Sequence, residues 1–443
     1  VGIVAERHAV RVIKPRRYGL HRDCIRWNTR ACGETPYLIV KMLVLPKARL
    51  ARSLLVLVLV SAYVLVTLLS LSPTQQRLAA SELAGFDAES DVLQAGSADP
   101  ATSGNASALA TERKLTISIW KVGERMKRRF LRSFGSSQRD PFEHCSVKNC
   151  RLETDDTKVE SSNAVMFHLH LMKDIRKNLP PVRPIDQVWI FFTDESPYHT
   201  FMADPSTRIK DINGLFNMSM TYRSDSDIVV PYGRSEKLDT PNVKDFSADV
   251  LAKTKGITIL GSNCGGINRR WNYVRELQKH IQVDVFGKCG KPVCPGHFTR
   301  DCDIIKDYQF YLAFENSNCA EYMTEKLWYN GYFKMAIPIV MGASKDDYTR
   351  LCPPKSFIHV EDFASPKDLA QYIRKLQANP DQLLEYHAWR RDYRVLNEHG
   401  YFGSPSLHLC RMCEALQRPH NRTTLYHLED WWSVNRDCRK PVF

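Results

Sequence analysis

Groups able to do chemistry gather wherever an apolar run of this chain stops. Residues 310–342 read FYLAFENSNCAEYMTEKLWYNGYFKMAIPIVMG. The opening apolar and aromatic residues end abruptly at Glu315-Asn316-Ser317, the pattern of a buried strand that stops at a polar loop. Asn316, Tyr322, Glu325 and Lys326 follow closely, and such groups suit the hydroxyls of a ribose and the charge of a phosphate. A second apolar run, Val-Trp-Ile-Phe-Phe at 188–192, gives way to Thr193-Asp194-Glu195-Ser196-Pro197. A carboxylate at such a place could take the proton from an attacking hydroxyl, and Glu195 is the candidate base. Asp194 is its rival, since neighbours on an extended backbone point to opposite sides. Arg269 and Arg270 follow Gly261-Ser262-Asn263 and by themselves read as the solvated face of a helix.

These groups need elements to hold them. Thr324 stands ahead of Leu327, Trp328 and Tyr332 as a helix N-cap would, and residues 337–341 form a second apolar run ending at Gly342. Strand, polar loop, helix and strand make the βαβ unit of an open parallel sheet, in which ligands sit beyond the carboxyl ends of the strands. Residues 257–260 and 283–287 read as further strands, separated by an arginine-bearing helix through Leu277 and His280. Ser365-Pro366 and Asn379-Pro380 open two later helices. Residues 164–171 read as a short strand in which His168 and His170 share a face. With no third ligand evident, a structural or acceptor-lining role is expected there rather than a metal site.

The 443 residues carry a net charge of +13. The basic residues are scattered, without a long run or a nucleic-acid reader motif, so an anionic substrate or a membrane-proximal location fits better than nucleic acid. No charged side chain lies between Ser53 and Gln76. Residues 54–72 are long enough to span a bilayer, since ~20 residues at about 1.5 Å rise cover ~30 Å. Lys47, Arg49 and Arg52 precede this stretch while only Arg77 follows closely, which places the N-terminus in cytoplasm and the remainder in a lumen. An uncleaved signal-anchor is expected; the alternative, a cleaved signal peptide, fits poorly with so long a span. The first residue is Val1 and the first methionine Met42, so residues 1–41 read as an upstream extension.

Residues 73–139 read as a lumenal stem, rich in Ser, Ala, Gly and Asp as far as about 114. Eleven cysteines lie beyond the apolar span; in an oxidising lumen most should pair, and the odd number leaves at least one free. Cys145 and Cys150 could close a small loop, and Cys410 and Cys413 read as structural disulfide partners. Asn105, Asn217 and Asn421 stand in glycosylation sequons.

The segment FENSNCAEYMTEKLW followed by IPIVMG closely resembles the donor-binding motif of the α1,3-fucosyltransferases, family 10 of the glycosyltransferases. Similar matches are YRSDSDIVVPYG at 222–233, VDVFGKCG at 283–290 and the Glu-Ser-Pro after the aromatic strand, so the resemblance covers about residues 140–440. It implies an α/β fold of GT-B architecture: two Rossmann-like domains facing across a cleft, an acceptor domain at 140–240 and a GDP-fucose-binding domain at 241–400. A cysteine-containing tail would follow at 401–443, and a cytoplasmic segment at 1–53 would precede the anchor. The resemblance further implies inverting transfer with Glu195 as base, Arg270 (or Arg269, one residue away) and Lys326 on the pyrophosphate, and Asn316, Tyr322 and Glu325 on the nucleotide. Asp225 and Asp227 would be structural or acceptor-side groups. No metal ligand is expected, and a divalent metal such as Mn would stimulate at most. The expected partners are GDP-fucose, N-glycan acceptors on glycoproteins and the Golgi cisterna membrane, spanned once in type II topology. Among acceptors the innermost GlcNAc of N-glycans comes first; terminal N-acetyllactosamine and an inactive lectin-like member are the alternatives.

Overall fold

The computed structural model describes residues 114–134, 140–294, 301–401, 404–418, 424–425, 427–441 and 443. The expected cytoplasmic segment, the span at 54–72, the stem up to residue 113, Asn105 and Asn421 lie outside the described residues. Among those described, no helix is long and apolar enough to cross a membrane.

Six parallel strands build a first sheet: β1 (Leu115–Ile119), β2 (Cys150–Glu153), β3 (Ala164–His168), β4 (Val188–Phe192), β5 (Met218–Thr221) and β6 (Ile228–Val229). They run in the order β2-β1-β3-β4-β5-β6. β3 and β4 are buried at every position, which explains their unbroken apolar character. The sheet begins upstream of residue 140, inside the segment expected as stem. β1 was hidden because Thr116 and Ser118 interrupt its apolar pattern and a basic helix, Gly123–Phe130, follows at once.

The chain crosses over through β7 (Gly233–Lys237) into a second parallel sheet. Its strands are β8 (Lys255–Leu260), β9 (Val283–Phe286), β10 (Tyr308–Phe314), β11 (Ile337–Met341) and β12 (Ile358–His359). Their order is β12-β11-β10-β8-β9. β13 (Tyr393–Asn397) then pairs antiparallel with β7, so outgoing and returning chain lie side by side. In each sheet the first strand lies between the second and third, so the order reverses there. In the second sheet that switch lies between β8 and β10, where open α/β sheets bind ligands.

The returning chain packs the helix His408–Gln417 on the first sheet, and its last residues come back to the second, where Arg439 pairs with Glu361. Cys145 bonds Cys410 and Cys150 bonds Cys413, so the small Cys145–Cys150 loop expected from sequence does not form. Cys264–Cys289, Cys294–Cys302 and Cys319–Cys438 are also bonded, and Cys352 is the free, buried cysteine among the described residues. One core cluster runs from Phe167 and Trp189 of the first sheet to Tyr311, Tyr322 and Trp328 around the second. Packing across it fixes the loops at the strand ends.

Candidate active site

Glu315 follows the end of β10 directly, and its carboxylate is fully buried. Thr324 donates to it from both its amide, at 2.7 Å, and its hydroxyl, and Lys326 Nζ lies 3.1 Å away. Lys326 also reaches Thr324 Oγ1 at 2.7 Å and Glu325 Oε1 at 3.3 Å. Burial would lower the Lys326 pKa, but Glu315 and Glu325 more than offset it, so the amine stays an ammonium. For Glu315, burial pushes the pKa up against the pull of Lys326. Sequence reading left Glu315 without a role, yet it is the hub of this cluster. The signal was available: an acid closing a buried strand with a lysine one short loop later.

Two expectations change here. Thr324 does not cap a helix; its hydroxyl serves Glu315. The helix itself, Lys326–Phe333, is a π-helix, with Lys334 N–H bonding back to the Tyr329 carbonyl. Such wide turns are concentrated at functional sites. Gly342 closes β11 against the same carboxylate: a Cβ there would sit 2.8 Å from Glu315 Cγ.

Arg270 opens the helix Arg270–Gln278 after β8 and is buried. Its guanidinium donates to three backbone carbonyls: Phe314 at 2.8 Å, Asn263 at 2.9 Å and Gly265 at 3.1 Å. It thereby ties the 263–266 loop to the end of β10, across the switch point. Arg269 has φ 58° and points into solvent, so of the two neighbours Arg270 is the one built into the site wall. Asn268 extends the seam, donating to the Glu315 carbonyl at 3.0 Å and to Asn318 Oδ1 at 2.8 Å.

Glu195 lies beyond β4 in the first sheet and meets the second sheet's loop directly. Tyr322 donates its hydroxyl to Glu195 Oε2 at 2.8 Å, and Asn316 Nδ2 lies 3.4 Å from the same oxygen. Oε1 has no partner among the described residues. Burial and the Glu195 charge push the Tyr322 phenol well up, so it remains a donor. Beside it, Ser317 Oγ donates to Ser196 Oγ at 2.7 Å. Asn316 and Tyr322, expected on the nucleotide, thus touch the candidate base, and Glu325 stays with Lys326.

Asp194 faces the other way, into the protein. Arg129 Nη2 lies 2.5 Å from its Oδ2, His399 Nε2 3.3 Å from the same oxygen, and His168 Nε2 3.5 Å from Oδ1. Burial alone would raise its pKa, but Arg129 and His168 hold it well below the usual carboxylate range. A buried acid so paired has little basicity.

The histidine pair does not share a strand face, because β3 stops at His168. His168 faces Asp194, whereas His170 lies on a following turn with its Nδ1 3.0 Å from the His199 carbonyl. Asp225 pairs with Arg223, and Asp227 Oδ2 accepts from the Ser219 amide and hydroxyl at 2.7 Å each, both structural uses. Asn217, expected as a glycan carrier, is half-buried; its Oδ1 accepts from the Trp189 amide at 2.8 Å and from Arg183.

Residues 250–431 match the C-terminal part of glycosyltransferase family 10 (fucosyltransferase), and residues 112–233 match the fucosyltransferase N-terminal family. The bovine 3-galactosyl-N-acetylglucosaminide 4-alpha-L-fucosyltransferase FUT3 is 36% identical over 286 residues, 64% of this chain and 74% of that protein. The Drosophila melanogaster glycoprotein 3-alpha-L-fucosyltransferase A is 35% identical over 302 residues, 65% of this chain and 55% of that one. Among solved structures, an alpha1,3-fucosyltransferase with GDP-fucose aligns with a TM-score of 0.43 at 18% identity, covering 72% of this chain and 96% of that one. With both halves of the family represented and the candidate base facing the FENSNCAEYMTEK loop, this chain belongs to glycosyltransferase family 10, the fucosyltransferases.

Proposed function

We propose that this fucosyltransferase is an inverting α1,3 enzyme of GT-B architecture. It moves L-fucose from GDP-β-L-fucose to the 3-hydroxyl of a GlcNAc in glycoprotein glycans, with the innermost GlcNAc of N-glycans as its acceptor. One observation carries the reading: Glu195, from the first sheet, has one oxygen taken by Tyr322 and Asn316 of the second and the other free to accept a proton.

Glu195 Oε1 takes the proton of the acceptor 3-hydroxyl as that oxygen bonds to the fucose anomeric carbon. The bond from that carbon to the β-phosphate oxygen breaks with its electron pair on GDP. Attack opposite the leaving group converts the β donor into an α product. The negative charge gained by the diphosphate falls to Lys326 and Arg270; preorganised donors of this kind are worth ~3–4 kcal/mol each. Of the roughly five N–H donors of a guanidinium, Arg270 commits three to carbonyls, so it both shapes the loop and has donors left for phosphate. Glu325 would bond the ribose hydroxyls.

A glycoprotein acceptor is supported by the similarity to the Drosophila glycoprotein 3-alpha-L-fucosyltransferase A, and the choice of the innermost GlcNAc rests on the sequence resemblance. Comparable identity, 36%, to the human 4-galactosyl-N-acetylglucosaminide 3-alpha-L-fucosyltransferase FUT5 supports a second reading, transfer to terminal N-acetyllactosamine. Either reading goes with the proposed location at the Golgi cisterna membrane. Incubation with GDP-fucose and both acceptors tests them: fucosylation of the N-glycan core supports the first reading, of N-acetyllactosamine the second. Fucosylation of neither overturns both.

A further inference from the structure

The residue beside the base is held more tightly than the base itself. Asp194 receives Arg129, His168 and His399 on its carboxylate, and Tyr232 donates its hydroxyl to its backbone carbonyl at 2.7 Å. These partners come from four places: the helix Gly123–Phe130, the end of β3, the segment after β6 and the segment after β13. His399 stacks on Tyr232 with ring centroids 3.8 Å apart, Tyr401 stacks beyond at 5.7 Å from Tyr232, and His408 packs edge-on to His399 at 4.5 Å. The flanking residues are fixed too, since Thr193 Oγ1 accepts from the Glu195 amide at 3.2 Å and Ser196 meets Ser317.

Resting on the reading of Glu195 as base, we propose that Asp194, clamped by Arg129, Tyr232 and His399, is a positioning residue that sets the direction of the Glu195 carboxylate. Because His399 arrives just after β13 on the chain returning from the second sheet, the clamp also ties the base loop to the chain crossing between the sheets. Asp194 itself takes no proton and touches no substrate. The charged and titratable groups around it are Arg129, His168, His399, His408, Tyr232 and Tyr401, with Glu325 acting on His399 and Tyr401.

The test compares full-length wild type with His399→Phe, His399→Gln, Tyr232→Phe, Asp194→Asn and Glu195→Gln. A misaimed base predicts that His399→Phe lowers kcat about tenfold while KM for donor and acceptor stays within about twofold. His399→Gln, which retains an N–H donor, should recover most of the loss. Asp194→Asn keeps the size of the side chain but leaves Arg129 without its anion, so it should lower kcat with KM unchanged in the same way. Should His399→Phe not accumulate, Tyr232→Phe removes one oxygen from the same clamp and must lower kcat in the same way. Unchanged kcat in the clamp variants, whatever their melting temperature, overturns the proposal while Glu195→Gln remains inactive. An active Glu195→Gln instead overturns the base assignment beneath it.

Discussion

The Tyr322 hydroxyl donates to Glu195 Oε2 at 2.8 Å, so the connection between β10 and β11 touches the carboxylate at the end of β4. The two sheets contribute to one site through this bond, and its removal has a signed consequence. Tyr322→Phe leaves Glu195 Oε2 with only the longer Asn316 contact, so the carboxylate is held less firmly. kcat should fall about 10- to 100-fold, the scale of ~1.5–3 kcal/mol for a bond to a charged group. Measuring kcat and KM for the two proteins checks this; an unchanged kcat would contradict it.

Half-buried Lys326 pairs with the fully buried Glu315, and breaking the pair should hurt stability and donor binding separably. Lys326→Met leaves Glu315 buried without its cation, a loss on the order of 3–5 kcal/mol. Adding Glu315→Gln removes the orphaned charge, so the double variant should recover much of the melting temperature. GDP affinity should stay low in both, since neither has the ammonium. Calorimetry of unfolding and of GDP binding on the four members of the cycle separates the effects.

Buried histidines make the fold acid-sensitive. Burial lowers His399 to about 4 and His387 to about 3, and it also depresses His168 and His408. In the unfolded chain each titrates near 6.5, so between about 6.5 and 4 the unfolded state binds more protons. Stability is therefore complete above about 6.5 and falls as pH drops toward 4, by up to ~1.4 kcal/mol per pH unit for each histidine involved. A series of melting temperatures across this window should slope downward on the acid side; a flat series contradicts the burial of these rings as neutral groups.

The helix His408–Gln417 is bolted to the first sheet by two long-range disulfides. Peptide mapping without reduction should recover Cys145 with Cys410 and Cys150 with Cys413, and never Cys145 with Cys150. Replacing both Cys150 and Cys413 by serine should cost ~2–4 kcal/mol in denaturant unfolding.

Much of this arrangement is legible in the sequence where local pattern and local chemistry coincide. β4 and β10 are unbroken apolar runs, and the polar residues after them mark the strand ends where Glu195 and Glu315 stand. Ser365 and Asn379 cap their helices as their positions before proline indicate, each accepting from a backbone amide three residues on. Partnerships across the chain are another matter. Spacing alone leaves open that Cys145 reaches Cys410, 265 residues on, or that Tyr322 serves Glu195. Asp194 and Glu195 look equivalent as letters. They differ because one side chain turns into a pocket of Arg129, His168 and His399 while the other meets the opposite sheet. The π-helix was unreadable for a similar reason: its apolar periodicity resembles an α-helix, and Thr324 satisfies Glu315 in place of a helix end.

The central claim is that a carboxylate from the first sheet serves a sugar nucleotide held by cations of the second. Glu195→Gln keeps the size of the side chain and removes its basicity, so fucose transfer and GDP binding should be measured on the same preparation. The account predicts transfer reduced by about 10²–10⁴ with GDP affinity unchanged. Transfer at close to the wild-type rate would contradict it.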